Sequence, residues 1–235
     1  MSVGLNREFE AQKKHFRLSP SDFRYAAFLL ILAVGLYVRI DDFREWIAKP
    51  ELSFFDGRPL PCETDSYYYL RLARDLYEGT YTQPDTLRHG IPSVSRPQPA
   101  PLLSILTASV SRLTGFGLDW VAAFLPAFLG LLLAFPLYGF GRHFCGTIAG
   151  LVSALMGLLS PFYVYRSDMG WFDTDCMNVT WSISIAFCFL KFGTCKKFFR
   201  YAWLAAGCAA GALFGWWWDQ SPEAVFGITI LPLTA

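Results

Sequence analysis

Long apolar runs alternate with short polar segments along most of this chain, which is the pattern of helices that cross a membrane. The first run covers residues 23–40, follows a Ser-Pro-Ser-Asp helix start, and is just long enough for a hydrocarbon core of about 30 Å. Further apolar segments cover about 120–140, 147–165, 177–190 and 201–218, and another begins near Ala224. Because the chain stops inside that last segment, the pattern predicts an all-α membrane protein that is truncated after about five to six spans.

The long polar segment after the first predicted span, residues 41–118, carries mixed charges and many prolines. This composition indicates a loop into which short helices are inserted. Within it, Asp65 is predicted to cap a helix over residues 66–78 that ends at Gly79. Apolar residues recur at helical spacing on one face of that helix and charged residues fill the other, so it is expected to lie on a surface.

The apolar stretch 102–113 is short for a membrane span, and the positions of the basic residues decide its interpretation. Basic residues lie in the N-terminal segment 1–22, at Arg142 and around Lys196, and short loops that are rich in Lys and Arg stay in the cytoplasm. All three groups lie on one side of the membrane only if 102–113 does not cross it. Residues 41–118 are then a first outer loop, and residues 165–176 are a second outer loop on the same side.

The overall composition agrees with a membrane protein and argues against nucleic acid as a partner. Apolar residues make up 54% of the 235 positions, and the formal net charge is only +1, so no broad basic surface is expected. The six cysteines lie mostly in or beside apolar runs, without metal-ligand or disulfide-like spacing. They are interpreted as small buried hydrophobic residues.

Residues 166–175 form a short charged island between two apolar runs, and they are the main candidates for chemistry. Asp173 and Asp175 can face one point if their backbone is extended or turned, and Asp65 could approach from the first outer loop. Hard divalent cations such as Mg²⁺ and Mn²⁺ prefer several oxygen ligands of this kind. Two structural alternatives stay open: the aspartates could cap helices, and Arg166 could be a local ion-pair partner.

The island has a specific likeness to a known family. Its pattern Arg-Ser-x-x-Gly-aromatic-aromatic-Asp-Thr-Asp resembles the second outer loop of the catalytic subunit of oligosaccharyltransferase, most closely in the bacterial single-subunit enzymes of protein N-glycosylation. The stretch Thr-Asp-Ser-Tyr-Tyr-Tyr at 64–69, followed by Ala-Arg-Asp at 73–75, resembles the first outer loop of that family. Three tryptophans at 216–218, shortly before Ser221 and Pro222, are similar to the end of its fifth span.

This resemblance implies a multi-span transmembrane domain of the GT-C glycosyltransferase type. It implies that Asp65 binds metal and reaches the acceptor amide, that Asp173 binds metal, that Asp175 is a further acid of the metal site, and that Arg166 positions the acids. The implied cofactor is Mn²⁺ or Mg²⁺. The implied partners are a lipid-linked oligosaccharide donor, an acceptor peptide with Asn-x-Ser/Thr and membrane lipid, in an inverting transfer. The implied location is a bacterial inner membrane with a periplasmic site, or the ER membrane in a eukaryote.

Some features depart from the family pattern. Trp171 and Phe172 replace the usual tyrosines, and the later outer loop and the outer C-terminal domain are missing, so this fragment alone is expected to be inactive. The Trp-Trp-Asp sequence at 217–219 is interpreted as part of an interface belt of tryptophans. The Asn-Val-Thr sequon at 178–180 falls inside a predicted span, where it is not expected to be used.

Two other classes of protein remain as alternatives. One is another membrane glycosyltransferase that uses a polyprenyl-phosphate sugar, and the other is a non-enzymatic transporter or assembly subunit. The acceptor that receives the sugar separates the first alternative from an oligosaccharyltransferase. A transporter would be expected to carry ionisable groups or broken helices near the middle of the membrane.

Overall fold

A computed structural model describes residues 20–85, 96–196 and 198–230. The described chain is almost entirely helical, as predicted, and its one sheet is a two-stranded antiparallel hairpin. In chain order the elements are α1 (Pro20–Ile40), α2 (Phe43–Ala48), α3 (Pro50–Ser53), β1 (Phe54–Phe55), β2 (Arg58–Pro59), α4 (Thr64–Glu78), α5 (Leu102–Thr114), α6 (Leu118–Gly130), a 3₁₀ turn (Leu131–Leu133), α7 (Ala134–Leu158), α8 (Pro161–Tyr165), α9 (Asp175–Thr194), α10 (Phe199–Trp217) and α11 (Ser221–Ile230). Residues 1–19 of the predicted basic N-terminal segment lie outside the described residues.

Three stretches of the described chain are long and apolar enough to cross a membrane: Phe23–Ala48, Leu118–Leu158 and Asp175–Thr194. The longest of them contains a break at Gly146, where φ is 85°. A Cβ atom on Gly141 would lie 2.5 Å from the carbonyl oxygen of Ala149, and one on Gly150 would lie 2.7 Å from that of Tyr138. The chain therefore turns back on itself at Gly146, and small residues let the two helical halves touch backbone to backbone.

This break separates the two predicted spans 120–140 and 147–165, but the second of them ends earlier than predicted. Helix α7 ends at Leu158, and α8 starts a new direction at Pro161, the first position of that helix. Proline is well suited to that position because the first helical N–H has no partner inside the helix. After α8, Met169 N–H donates a hydrogen bond to the carbonyl of Arg39 in the last turn of α1.

Ion pairs organise the described part of the predicted first outer loop around α4. Arg71 donates two hydrogen bonds to Asp85, at 2.7 and 2.8 Å. Arg74 pairs with Asp119 at the start of α6, at 2.8 Å, and α5 packs along α4. Helix α5 has 13 residues, which is about 20 Å of helix. That it lies outside the membrane stays a prediction.

The predicted cap of α4 is wrong, although its predicted end is right. The helix begins at Thr64 with Glu63 at the cap position, so that Asp65 lies inside the first turn and makes no capping hydrogen bond. Gly79 ends the helix with φ of 77°, the left-handed conformation that glycine adopts without cost. The Asp65 carboxylate is therefore not committed to the helix end.

Candidate functional site

The predicted second outer loop, residues 165–176, is held in place by backbone hydrogen bonds to three separate parts of the chain. Gly170 N–H donates to the carbonyl of Ala123, Met169 N–H donates to that of Arg39, and Cys62 N–H donates to that of Gly170, at 2.8, 3.0 and 3.0 Å. Gly170 has φ of 87°, and a Cβ atom there would lie 2.6 Å from the ring of Trp46. Only glycine fits this position, which explains the glycine inside the island.

Arg39 ties the end of α1 to the beginning of the same loop. Its side chain is fully buried, and it donates to the Ser167 hydroxyl at 2.9 Å and to the carbonyls of Gly35 and Leu158 at 2.9 and 3.1 Å. Sequence reasoning missed this residue, because an arginine at the end of an apolar helix is also typical of a membrane interface. The bonds fix the position of residue 167, just after Arg166.

Arg166 and Asp175 form an ion pair across the island. Arg166 Nη1 donates to Asp175 Oδ2 at 2.6 Å, and Asn178 Nδ2 donates to Asp175 Oδ1 at 3.2 Å. Helix α9 begins at Asp175 with Thr174 at the cap position, and no side chain caps it. The capping alternative for Asp175 is therefore wrong, and the local ion pair of Arg166 is confirmed. Both Asp175 oxygens accept protein hydrogen bonds, which suits a carboxylate that holds Arg166 in position.

The charge of Asp65 affects the carboxyl group of Asp173 although the two residues are far apart in the sequence. Asp173 Oδ1 accepts a hydrogen bond from Thr174 N–H at 2.6 Å. Burial raises the pKa of the Asp173 carboxyl to about 6, against the hydrogen bond from Thr174, and the negative charges of Asp175 and Asp65 raise it further. Mutually repelling carboxylates in a partly buried site favour a bound cation, which removes that repulsion.

The described residues contain no group of three His, Cys, Asp or Glu side chains arranged to hold a metal ion. The three predicted ligands Asp65, Asp173 and Asp175 therefore do not form such a group in the described chain. The donors are carboxylate oxygens from two separate loops, which is the donor type that Mg²⁺ and Mn²⁺ accept. The metal assignment of Asp65, Asp173 and Asp175 stays a prediction.

Two aromatic residues that sequence reasoning did not assign to the site lie beside Asp173. Tyr69 follows Asp65 by four positions on α4, so both lie on one helix face. Burial and the charges of Asp173, Asp219 and Asp65 raise the pKa of the Tyr69 phenol, while a hydrogen bond with the Thr174 side chain lowers it. The i, i+4 spacing from Asp65 was the signal that could have identified Tyr69.

Trp217 is the second of these residues, and its interpretation as part of an interface belt is wrong. Its side chain is 3% exposed, and its indole N–H donates to the Thr174 carbonyl at 2.8 Å. It also packs in the core cluster that contains Phe172 and Cys176. Trp217 therefore supports the backbone next to Asp173.

Asp168 is the remaining carboxylate of the island, and substituting it tests how burial affects a negative charge in this loop. Burial raises its pKa from 3.8 to about 6, and the hydrogen bond from Met169 N–H lowers it. The negative charge of Asp42 raises the pKa by a smaller amount, and the positive charge of Arg39 lowers it. The folded state therefore takes up a proton between pH 6 and 4 that the unfolded state does not, and stability falls as pH rises through this window.

Asp168→Asn keeps the acceptor for Met169 N–H, and we expect it to raise Tm at pH 7.5 by about 2 °C.

Thermal unfolding of the full-length protein in detergent at pH 7.5 and at pH 4.5 checks this expectation. The gain should disappear at the lower pH, because Asp168 is then neutral in the folded wild-type protein as well. Asp56→Asn, at an exposed turn, is the matched control and should leave Tm unchanged at both values. An equal gain at both pH values would contradict the assigned charge effect.

Comparison with known proteins places these features in a family context. The family model described as oligosaccharyl transferase STT3, N-terminal, matches residues 26–235. The chain is 23% identical over 209 residues to an undecaprenyl-diphosphooligosaccharide–protein glycotransferase of Campylobacter jejuni, covering 89% of this chain and 27% of that protein. It is 28% identical over 142 residues to a dolichyl-phosphooligosaccharide-protein glycotransferase of Methanocaldococcus jannaschii, covering 52% of this chain and 15% of the relative.

Solved structures show the same fold. The archaeal oligosaccharyltransferase AglB from Archaeoglobus fulgidus, in complex with an inhibitory peptide and a dolichol-phosphate, matches with a TM-score of 0.69 and 18% identity over 86% of this chain and 24% of its own. A complex of the A. fulgidus oligosaccharyltransferase with Zn and sulfate matches with a TM-score of 0.64 and 19% identity, over 84% of this chain and 26% of its own. The likeness confirms the predicted all-α, multi-span transmembrane fold of the GT-C type. The chain spans about a quarter of the length of these structures.

Proposed function

Because the chain belongs to the STT3 family of oligosaccharyl transferases, we propose that the protein transfers an oligosaccharide from a polyprenyl-pyrophosphate donor to the asparagine amide of Asn-x-Ser/Thr sequons. The observation that carries this proposal is the match of the family model to residues 26–235, and the effect of the Asp65 charge in the first predicted outer loop on the pKa of Asp173 in the second supports it. The two curated relatives named above are glycotransferases that use a lipid-linked oligosaccharide and a protein. The chain covers only 27% and 15% of their lengths, so the activity is proposed for the full-length protein.

Asp65 and Asp173 are the residues that would hold a divalent cation, Mn²⁺ or Mg²⁺, with Asp175 beside them. The cation supplies neutralising charge for the pyrophosphate leaving group. Support for a metal in the family comes from the related structure in complex with Zn and sulfate. Asp173 must be ionised to serve as a ligand. Its pKa is raised only to about 6, which is still below neutral pH, so the carboxyl group is mostly ionised there.

Asp65 has the second role of accepting a hydrogen bond from the N–H of the acceptor amide. An asparagine amide nitrogen is a poor nucleophile, because its lone pair is delocalised into the carbonyl. A carboxylate that holds the N–H group weakens this delocalisation and orients the nitrogen towards the sugar carbon. Direct displacement at that carbon inverts its configuration. Arg166, held by Asp175 at 2.6 Å, fixes the relative positions of the acids.

An apolar groove beside Arg166 and Asp175 supports a lipid-linked donor. The groove has a volume of about 570 Å³, and its walls include Leu133, Leu137 and Ile183. Its polar end also contains the side-chain amide oxygen Oδ1 of Asn178, which is buried without a hydrogen-bond partner among the described residues. The groove thus has apolar walls and a polar end. A polyprenyl pyrophosphate, which has an apolar chain and a polar head group, matches this arrangement.

The direct test is glycan transfer to an Asn-x-Thr peptide by the full-length protein, supplied with its lipid-linked donor. We expect transfer with Mn²⁺ present, and removal of the metal by EDTA should lower the rate by at least about a hundredfold, with recovery on adding Mn²⁺. Transfer to a lipid or sugar acceptor in place of the peptide would indicate another polyprenyl-phosphate-sugar glycosyltransferase. No transfer to any acceptor by the folded protein would indicate a transporter or assembly subunit.

The site is proposed to face the outer side of the membrane, opposite the basic N-terminus. This orientation follows from the distribution of Arg142, Lys196 and the N-terminal basic residues. It corresponds to the periplasmic side of a bacterial inner membrane, or to the ER lumen in a eukaryote. Cysteine labelling of Asp56→Cys with a reagent that does not cross membranes tests the assignment, in a variant whose six native cysteines are replaced, because three of them are exposed. Labelling of intact cells supports an outer location in a bacterium, and labelling only after lysis contradicts it.

A further inference from the structure

At the end of α9 away from the charged island, a chain of aromatic contacts joins three helices. The ring of Phe187 on α9 lies 5.3 Å from that of Phe140 on α7 and 5.6 Å from that of Trp203 on α10, measured between ring centroids. Helix α9 begins at Asp175 and ends at Thr194, so its far end lies about 28 Å from the island. This length matches a hydrocarbon core of about 30 Å, so the far end of this candidate span lies at the opposite edge of the membrane.

Basic side chains follow the aromatic contacts towards this opposite edge. The chain that enters α7 runs alongside α9 in the same direction, because the carbonyls of Gly130 and Cys176 both lie within hydrogen-bond distance of the Tyr163 hydroxyl, at 3.0 and 2.9 Å. Helix α10 follows α9 after a short turn and runs the other way. Residues three or four positions apart share a helix face. Each ring of the aromatic chain therefore has a basic residue three or four positions nearer to the membrane edge: His143, Lys191 and Arg200.

The positive charge at this edge has little acid to balance it. No Asp or Glu occurs in residues 120–167 or 176–218, and the ion pairs of the described residues all involve other side chains. Asp22 starts α1 at the same edge, but α1 packs mainly against α6 and α7, whereas the lysine and the arginine lie on α9 and α10. We call the surface formed by His143, Lys191, Lys196 and Arg200 the basic face.

Arg200 holds a position that does not serve the stability of its own helix. It lies in the first turn of α10, where the helix dipole disfavours a cation. The residue is exposed, and its guanidinium carbon lies 4.7 Å from the ring centroid of Phe192. A guanidinium that an aromatic ring holds in this way is already oriented when a ligand arrives.

Exposed aromatic side chains surround the basic face and indicate what covers it. Phe144, Phe198, Phe199 and Tyr201 are between 60% and 80% exposed. Apolar rings at the edge of a membrane contact acyl chains, while cations beside them reach the polar headgroups. A soluble anion would use the cations alone and would leave the rings in water. The combination therefore favours a ligand that has both an anionic group and acyl chains.

We propose that the basic face binds the headgroup of an anionic phospholipid, with Lys191 and Arg200 on its phosphate group. A phosphate diester offers only acceptors, and ammonium and guanidinium groups offer only donors. Basic pockets between membrane helices are suited to such headgroups. The N-terminal segment 1–19 does not balance the charge of the face instead, because its sequence has more Lys and Arg than Asp and Glu. The proposal goes beyond the proposed function, because it concerns the membrane edge opposite the charged island.

Thermal unfolding of the full-length protein in a neutral detergent, titrated with dioleoyl-phosphatidylglycerol or dioleoyl-phosphatidylcholine, tests the proposal. A ligand that binds only the folded state raises Tm according to its concentration and affinity. We expect the anionic lipid to bind wild type more tightly than the zwitterionic lipid. Lys191→Gln and Arg200→Gln should each lower the affinity for the anionic lipid about fivefold, and the double variant about 25-fold. Arg200→Lys, which keeps the charge, should stay within about twofold of wild type.

Arg44→Gln is the matched control, because Arg44 is an exposed arginine on α2, beyond the other end of α1. It should leave the affinity for the anionic lipid unchanged. Each variant is compared with its own Tm without lipid, so a change in its stability does not enter the affinity. Equal affinity of wild type for the two lipids, or an equal loss in Arg44→Gln, overturns the proposal. Glycerol phosphate that raises Tm as strongly as the anionic lipid overturns the assignment to a lipid.

Discussion

Asp173→Asn in the full-length protein is expected to lower the rate of glycan transfer by about 10²–10³-fold. Asparagine keeps the size of the side chain and the acceptor for Thr174 N–H, which Asp173 Oδ1 receives at 2.6 Å. What it removes is the negative charge that faces Asp65 and Asp175. Loss of that charge weakens the cation site without removing the packing around the loop. Initial rates of transfer to an Asn-x-Thr peptide measure the effect.

The matched control for this substitution is Asp56→Asn, a change of the same chemistry at an exposed turn of the first outer loop. It should leave the rate within about twofold of wild type, as expected for a surface change away from the site. A second comparison uses excess Mn²⁺, which should partly restore Asp173→Asn if the loss is one of metal affinity. Wild-type rates in Asp173→Asn at limiting Mn²⁺ would contradict the assigned role.

Gly170→Ala is expected to lower the free energy of unfolding by about 2–5 kcal/mol and to reduce glycan transfer with it. Two costs add at this residue. An alanine must adopt φ of 87°, and its Cβ must occupy space 2.6 Å from the Trp46 ring and 2.8 Å from Cys62 Sγ. The loop that carries Asp173 then has to move. Chemical or thermal unfolding followed by tryptophan fluorescence measures the loss.

Gly79→Ala separates the two costs. Gly79 has φ of 77°, and a Cβ atom there meets nothing within 4 Å, so only the backbone cost of about 1–2 kcal/mol applies. Gly170→Ala should cost less in a Trp46→Leu background than in the wild type, because the smaller side chain makes room, whereas a cost of backbone strain alone would be the same in both. Equal losses for Gly170→Ala and Gly79→Ala would show that the contact with Trp46 does not hold the loop.

The sequence predicted most helices of the fold, because the local signals agree with one another. Gly79 ends α4 where the periodicity stops, and the polar residues before Gly146 separate two apolar runs that the structure shows as two halves of a hairpin. The predicted start of α4 was two residues too late, because the helix begins at Thr64 with Glu63 at the cap position. Thr64 joined the helix, and Asp65 moved from the cap into the first turn. Local propensities do not fix a helix start to that precision.

The candidate site was predicted only as far as topology allowed. The prediction that Asp65 and Asp173 share a site followed from placing both outer loops on one side of the membrane, with the basic residues as the guide, and it stays a prediction. The contacts of Arg39 and Trp217 could not be predicted, because each joins residues that are distant in the chain through one hydrogen bond to a backbone carbonyl. A tryptophan near a helix end is typical of a membrane interface, and only the three-dimensional packing shows that Trp217 is buried.

Binding of Mn²⁺ to the full-length protein, followed by electron paramagnetic resonance, tests the central claim most directly. That claim is that Asp65 and Asp173, from two separate outer loops, serve one divalent cation. We predict that wild type and Asp56→Asn bind one Mn²⁺ with the same affinity, and that Asp65→Asn and Asp173→Asn each lower this affinity at least about tenfold. Wild-type affinity in both Asp65→Asn and Asp173→Asn would contradict the claim.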